Sequence, residues 1–320
     1  MPVFDYPLET LKQYQGINPK PDDFDAYWAE ALRELDTVDP KPELVPNKTL
    51  GVRDVECFDL TFTGIGGARI YAKYMSPKGK TGCPAVLRFH GYSVHSGDWS
   101  NNLMFTSEGM CVAAMDCRGQ GGLSEDNGVV KGTTMRGHFI RGLDDPDSRK
   151  LLFRSIFLDT VQLARVVGSF EEIDENRMGT TGASQGGALA LACAALEPRI
   201  RQVVAAHPFL CDYQRVWDMD LAKDAYLELR TFFRFHDPLH ERKQEIFTKL
   251  GYIDIQHLAP RIQAKTLMLI SLMDTVCPPS TQFCAYNKMT CEKSAKIYPD
   301  YEHEFLPGMN DHTLNGMLQL

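Results

Sequence analysis

No Cys-x-x-Cys pair occurs in the 320 residues, although the chain carries nine cysteines. That absence leaves no zinc ribbon and no thioredoxin-type redox centre to consider. Cys57, Cys83, Cys111, Cys117 and Cys193 fall in or beside apolar runs, so reduced, buried thiols are expected. The opening residues 1–13 hold neither a basic start nor an apolar stretch of the secretory kind. The longest apolar run of helical character, 187–196, is about half of what a membrane span requires. A cytoplasmic protein with no membrane partner is the expectation. Basic charge is outweighed as well: 34 Lys and Arg stand against 42 Asp and Glu, a net of -8. Such a surface works against nucleic acid and anionic lipid, both of which call for basic patches. There is no internal repeat and no low-complexity tract. What is present, 43% hydrophobic and 24% charged residues, suits a globular chain able to bury a large core. One domain over 1–320 carrying insertions is expected, not two domains in series.

Residues 1–80 read as an N-terminal extension. Acidic residues at Asp22, Asp23 and Asp25 open a helix where its dipole favours them, and Phe24, Trp28, Leu32 and Leu35 share one face. Asp39-Pro40-Lys41-Pro42 stops it. The runs 52–63 and 68–75 are strand-like and are joined by the turn Gly64-Ile65-Gly66-Gly67. From Cys83 the pattern alternates. Strands are expected at 85–89, 110–115, 177–181, 203–206, 266–271 and 296–298. Helical periodicity covers 151–167 and 187–196. Strands alternating with helices imply an α/β architecture, a mostly parallel sheet flanked by helices. Residues 207–260 break the alternation with aromatic and charged residues. This stretch reads as a cap-like insertion over a site.

The chemistry is carried by four segments. Gly182-Ala183-Ser184-Gln185-Gly186-Gly187 fits G-x-S-x-G and sits between a strand and a helix, the setting of a nucleophile elbow. The glycines relieve crowding around a strained turn. The run 267–274 is an apolar strand ending in Asp274. Tyr301-Glu302-His303-Glu304 follows the last strand. Chain order Ser184, Asp274, His303 is that of the α/β-hydrolase fold. A serine hydroxyl needs a base, imidazole titrates near neutrality, and an acid fixes the imidazole tautomer. Phe89-His90-Gly91-Tyr92 matches the loop that supplies one oxyanion N–H, the other coming from Gln185 after the nucleophile. His90 itself reads as a structural histidine bonded to nearby backbone.

Two further segments read as structural. Asp116-Cys117-Arg118-Gly119-Gln120-Gly121-Gly122 lacks the Lys-Ser/Thr of a P-loop and the spacing of a dinucleotide fingerprint. It is a turn in which Arg118 pairs with acids or carbonyls. His236 and His240 have the i, i+4 spacing of a zincin pair, but the Glu of that motif is missing and Pro238 disrupts the helix. No metal and no other cofactor is expected.

Arg118-Gly119-Gln120, Gly182-x-Ser184-Gln185-Gly186-Gly187, His303-Glu304 and the early Phe24-Asp25-x-Tyr27-Trp28 together resemble the acetyl xylan esterase / cephalosporin-C deacetylase family, carbohydrate esterase family 7. The resemblance covers nearly the whole chain. It implies an intracellular, metal-free serine esterase acting on short acetylated xylo-oligosaccharides and on the 3′-acetoxy group of cephalosporins, assembled as a homo-hexamer. By matching positions it implies Ser184, Asp274 and His303 as the triad, the Tyr92 and Gln185 amides as the oxyanion hole, and Tyr92 as a substrate contact. Three alternatives stay open from the residues alone. One is a general short-chain carboxylesterase. Another is a serine peptidase of the same fold, although only about eighty residues precede the core where prolyl-oligopeptidase relatives carry a propeller. The third is a binding protein without catalysis, for which a broken triad is expected and none is seen.

Overall fold

A computed structural model describes residues 4–130 and 137–320. Nine strands form one sheet: β1 (Glu43–Pro46), β2 (Val55–Thr63), β3 (Arg69–Pro77), β4 (Cys83–Phe89), β5 (Cys111–Met115), β6 (Ile173–Ala183), β7 (Ile200–Ala206), β8 (Lys265–Ser271) and β9 (Lys293–Tyr298), in the order β1-β2-β3-β5-β4-β6-β7-β8-β9. β1, β2, β3 and β5 pair antiparallel. From β5 through β4 to β9 every pairing is parallel. This is the mostly parallel sheet of the α/β-hydrolase fold.

The helices are α1 (Leu8–Leu11), α2 (Phe24–Asp36), α3 (Leu103–Thr106), α4 (Leu152–Gly168), α5 (Gln185–Leu196), α6 (Tyr213–Asp218), α7 (Leu227–His236), α8 (Lys243–Leu250), α9 (Ile255–Leu258), α10 (Pro279–Lys288) and α11 (Met309–Met317). Side chains along a strand point to opposite faces in turn, and β4 shows the result. Ala85, Leu87 and Phe89 join the large core that holds α4 and α5, whereas Val86 joins a second cluster with Phe105, Val112, Val204 and Met317. Both faces are therefore covered, which is why the central strands read as continuous apolar runs. α5 is apolar on every side and almost wholly buried, as befits a helix enclosed by the core. No helix among the described residues is long and apolar enough to cross a membrane.

Several boundaries differ from the sequence reading. The second strand starts at Val55, not at residue 52, because Val52 N–H bonds the Leu50 carbonyl in a tight turn and leaves the ladder. β6 begins at Ile173, four residues before the expected strand. Its first part, Asp174-Glu175-Asn176-Arg177, is polar and solvent-facing, so it gives no hydrophobic signal. α5 starts at Gln185 rather than 187, since the turn at Ser184 leads straight into it. β1 is exposed along its length and has no burial pattern to read. On α2 the buried face is Phe24, Tyr27, Trp28, Ala31 and Leu35; Leu32 lies at its margin, half-buried.

All nine cysteines are free, eight of them buried. The first segment of the chain is tied to residues 207–260. Tyr14 Oη donates to Asp212 at 2.8 Å, Asn18 Nδ2 to the Phe247 carbonyl at 3.0 Å, and Trp28 Nε1 to the Tyr252 carbonyl at 3.0 Å. The helices α6 to α9 are thereby braced from one side by the chain's start.

Arg118 lies 3% exposed and Asp159 fully buried. Nε and Nη2 of Arg118 donate to the two carboxylate oxygens, each at 2.6 Å, and Nη2 also donates to the Ile65 carbonyl at 3.0 Å. This bidentate pair is the carboxylate and carbonyl partnership expected of Arg118, and it fastens the loop after β5 to α4. Removing one partner strands the other charge in the core. Asp159→Ala should therefore lower stability by about 3–5 kcal/mol, while replacing both residues with leucine should cost less. Urea unfolding midpoints check the order of the two variants.

Candidate active site

The turn from β6 into α5 places Ser184 at φ 57°, ψ -121°, a conformation that costs a side-chain-bearing residue about 1–3 kcal/mol. The flanking glycines permit it. A Cβ on Gly182 would lie 2.4 Å from the Gly186 carbonyl carbon, and one on Gly186 would lie 2.1 Å from the Phe89 carbonyl oxygen. No side chain fits in either gap, so these two positions are glycine for space alone. Ser184 N–H bonds the Ala206 carbonyl, and the Ser184 carbonyl accepts from Phe209 N–H, both at 3.0 Å. The strained turn is thus held from β7 and the loop that follows it.

Asp274 follows β8 and is fully buried. Its Oδ1 accepts from the backbone N–H groups of Val276 at 2.9 Å and Cys277 at 2.7 Å. Its Oδ2 lies 2.8 Å from His303 Nδ1 and accepts from Gln282 Nε2 at 3.3 Å. His303 follows β9, and its Nε2 lies 3.0 Å from Ser184 Oγ. Carboxylate, imidazole and hydroxyl, drawn from three strand ends, so form one continuous hydrogen-bonded line.

Tyr92 lies on the loop after β4, and Gln185, next to Ser184 in the chain, stands at the head of α5. The first N–H groups of a helix have no partner within it, and among the described residues neither the Tyr92 nor the Gln185 amide donates to a protein acceptor. The Gln185 side chain is fully buried. Gln120 and Gln185 exchange amide contacts at 2.8 and 3.1 Å, and Gln120 Oε1 accepts from Ser93 N–H at 2.9 Å. The loop that begins with Arg118 therefore locks the Tyr92 loop to the head of α5. This part of Gln120 was not legible from its motif, because the contact is made across three separate loops. His90 is the structural residue expected: Nδ1 bonds the Gly91 carbonyl at 2.7 Å and Nε2 accepts from Cys117 N–H at 2.9 Å. Burial holds its pKa below the ordinary imidazole value.

Three residues near this line gave no motif signal. Gln282, on α10, fixes Asp274 and also donates to the Cys277 carbonyl at 2.6 Å. His207 packs its ring 4.5 Å from that of His303. Burial first, and the neighbouring His303 second, lower its pKa to about 4, so it is neutral near pH 7. Glu228 enters from α7.

Ser184 and His303 open onto a cavity of about 810 Å³ lined also by Tyr92, His138, Leu227 and Val276. The Tyr92 hydroxyl accepts from His138 N–H at 3.0 Å, and its ring packs against His138 and Phe209. Residues 207–260 supply one wall through Asp224, Leu227, Glu228 and Thr231.

Among the described residues one group has donor atoms close enough to share a metal, His207, Asp274 and His303, within 4.8 Å of one another. Two of these atoms already bond each other, and the second nitrogen of His303 bonds Ser184. His236 stacks on Phe232 and its Nδ1 lies 3.5 Å from Asp144 Oδ2, while His240 packs on Phe233 and Trp217.

Residues 1–319 match the family model described as acetyl xylan esterase (AXE1). The chain belongs to the acetyl xylan esterase family. This places it among the carboxylic ester hydrolases. The crystal structure of acetyl xylan esterase 1 from Thermoanaerobacterium sp. JW/SL YS485 is 56% identical, covers 99% of both chains and superposes with a TM-score of 0.97. The acetyl xylan esterase from Paenibacillus sp. R4 is 32% identical over 98% of this chain and 99% of its own, with a TM-score of 0.94. The acetyl esterase Axe7A of Xylanibacter ruminicola is 27% identical over 308 residues. The chain spans 65% of the length of that relative. A cold-adapted esterase at 16% identity and TM-score 0.57 shares the fold alone. Within an acetyl xylan esterase, a serine–histidine–aspartate line opening on a cavity of this size has a direct chemical reading.

Proposed function

We propose that this chain removes acetyl groups from acetylated xylo-oligosaccharides, and from cephalosporin C, through an acetyl-enzyme intermediate on Ser184. The observation that carries the reading is the unbroken line Asp274–His303–Ser184, 2.8 and 3.0 Å between partners, at the floor of a cavity large enough for a sugar. His303 Nε2 takes the Ser184 proton as Oγ attacks the acetyl carbonyl. The oxyanion is received by the Tyr92 and Gln185 amides, each donor of this kind contributing about 2.7–4 kcal/mol. His303 then protonates the departing sugar oxygen. Water, activated by the same nitrogen, frees acetate. Asp274 holds the imidazole with Nδ1 protonated and favours the imidazolium that forms in the transition state. No step in this scheme uses a cofactor.

Family membership and the whole-chain likeness to acetyl xylan esterases support acetyl as the acyl group. A rate series over acetyl, butyryl and octanoyl p-nitrophenyl esters tests it. A steep fall after acetyl is expected. A maximum at a longer chain would favour the general carboxylesterase reading, and faster turnover of aminoacyl amides the peptidase reading. A cytoplasmic homo-hexamer is part of the same proposal. Light scattering in solution should then give six times the 36.0 kDa chain mass.

A further inference from the structure

One carboxyl group on the cavity wall is held by backbone through one oxygen, while no described residue bonds the other. Glu228 lies in the first turn of α7. Its Oε2 accepts from three successive backbone N–H groups, His138 at 2.8 Å, Phe139 at 3.0 Å and Ile140 at 3.4 Å. Gly137, at φ 137°, lets that backbone close on the carboxyl, for a Cβ there would lie 2.7 Å from Glu228 Cδ. Oε2 is thereby saturated. Oε1 receives no hydrogen bond from any described residue, yet Glu228 lines the same cavity as Ser184, His303 and Tyr92.

No cation among the described residues pairs with it. Arg141, on the same wall, pairs with Asp126 instead. Burial raises the Glu228 pKa to about 8, against the pull of the three backbone donors. A carboxyl 7% exposed and with no counter-ion among the described residues is costly to keep. A glutamine would offer the same three backbone N–H groups an oxygen without burying a charge. Such groups, retained on a cavity wall, mark functional positions.

We propose that Glu228 is a specificity-determining residue: its open oxygen, Oε1, accepts a hydrogen bond from a hydroxyl of the alcohol portion of the ester. The site thereby selects polyhydroxylated, sugar-type acetates over aryl or simple alkyl acetates, which have no hydroxyl to offer. This rests on the reading of the cavity as an acetyl-ester site.

Glu228→Gln isolates the effect. The three backbone N–H groups require an oxygen opposite them, so the glutamine must turn its NH2 toward the cavity. The backbone contacts survive, while the acceptor facing substrate becomes a donor. Steady-state kinetics of the 320-residue protein are compared on acetylated xylotriose and p-nitrophenyl acetate at pH 9, where the wild-type carboxyl is mainly ionised. The KM ratio, sugar ester over aryl ester, should rise about tenfold, the effect of losing a charge-assisted hydrogen bond. An unchanged ratio, an equal loss on both esters, or a loss confined to kcat would overturn the assignment and leave Glu228 a brace for residues 138–140. A second measurement needs no variant. Free xylotriose should compete with p-nitrophenyl acetate for the wild type at concentrations where its acetylated form saturates, and absence of competition overturns the proposal. Wild-type protein that hydrolyses neither ester removes the acetyl-ester reading and this one together. Turnover of both esters with an unmoved ratio removes this one alone.

Discussion

Ser184→Ala is expected to lower kcat by about 10⁶-fold, on the scale seen when one member of such a triad is removed. No second hydroxyl takes its place, because the strained turn aims only residue 184 at His303 Nε2, 3.0 Å away. The fold should persist. Alanine is smaller, and the Ser184 backbone bonds to Ala206 and Phe209 do not involve the hydroxyl. Thermal unfolding should therefore be little changed while acetate release from p-nitrophenyl acetate falls to background. Labelling by a fluorophosphonate probe gives an independent readout: the wild type reacts at Ser184 and the variant does not. A wild-type protein that fails to label would instead favour the binding-protein reading.

Asp274→Asn should cost about 10⁴-fold in kcat, the effect of holding the imidazole in the wrong tautomer. The surroundings decide which way the new amide points. Oδ1 of the aspartate faces the Val276 and Cys277 N–H groups at 2.9 and 2.7 Å, and an NH2 group placed there would meet two donors. The asparagine oxygen must stay on that side, so its NH2 faces His303 Nδ1. That nitrogen must then accept, which moves the imidazole proton to Nε2, pointing at Ser184. A protonated Nε2 is no base. Gln282 Nε2, 3.3 Å from the same position, adds a further donor against the new NH2. The pH–rate profile and kcat for p-nitrophenyl acetate check the prediction. A wild-type rate in this variant would transfer the orienting role to another acid; Asp300 and Asp311, the two aspartates nearest to His303 in sequence, are exposed and neither bonds His303.

The likeness to the Thermoanaerobacterium and Paenibacillus enzymes extends over almost the entire chain, including the first segment that braces α6 to α9. Much of this architecture was legible in the residues. The alternation of apolar runs and helices, the glycine spacing around Ser184 and the order Ser184, Asp274, His303 are local or one-dimensional features, and each reports a constraint that acts within a few residues. The crowding at Gly182 and Gly186 is one example. The turn cannot form with a side chain there, so the restriction is written into the sequence.

What lay outside the sequence depends on contacts between distant segments. Gln120 gave no sign that it would join Gln185 and Ser93, and Gln282 none that it would hold Asp274, for a lone glutamine has no periodicity and no motif. Glu228 belongs to no motif. Its meaning arises only when residues 137–140 close over it and saturate one oxygen while the other is left facing the cavity. β1 and the first half of β6 escaped notice because exposed strands bury nothing and so impose no pattern. The chain by itself determined which residues are able to perform the chemistry and the order in which they occur. Only the tertiary structure decided which of them touch, how each proton is held, and what the wall of the cavity offers to a substrate. Those properties are set by distances between strand ends and loops, and no spacing along the polypeptide encodes them.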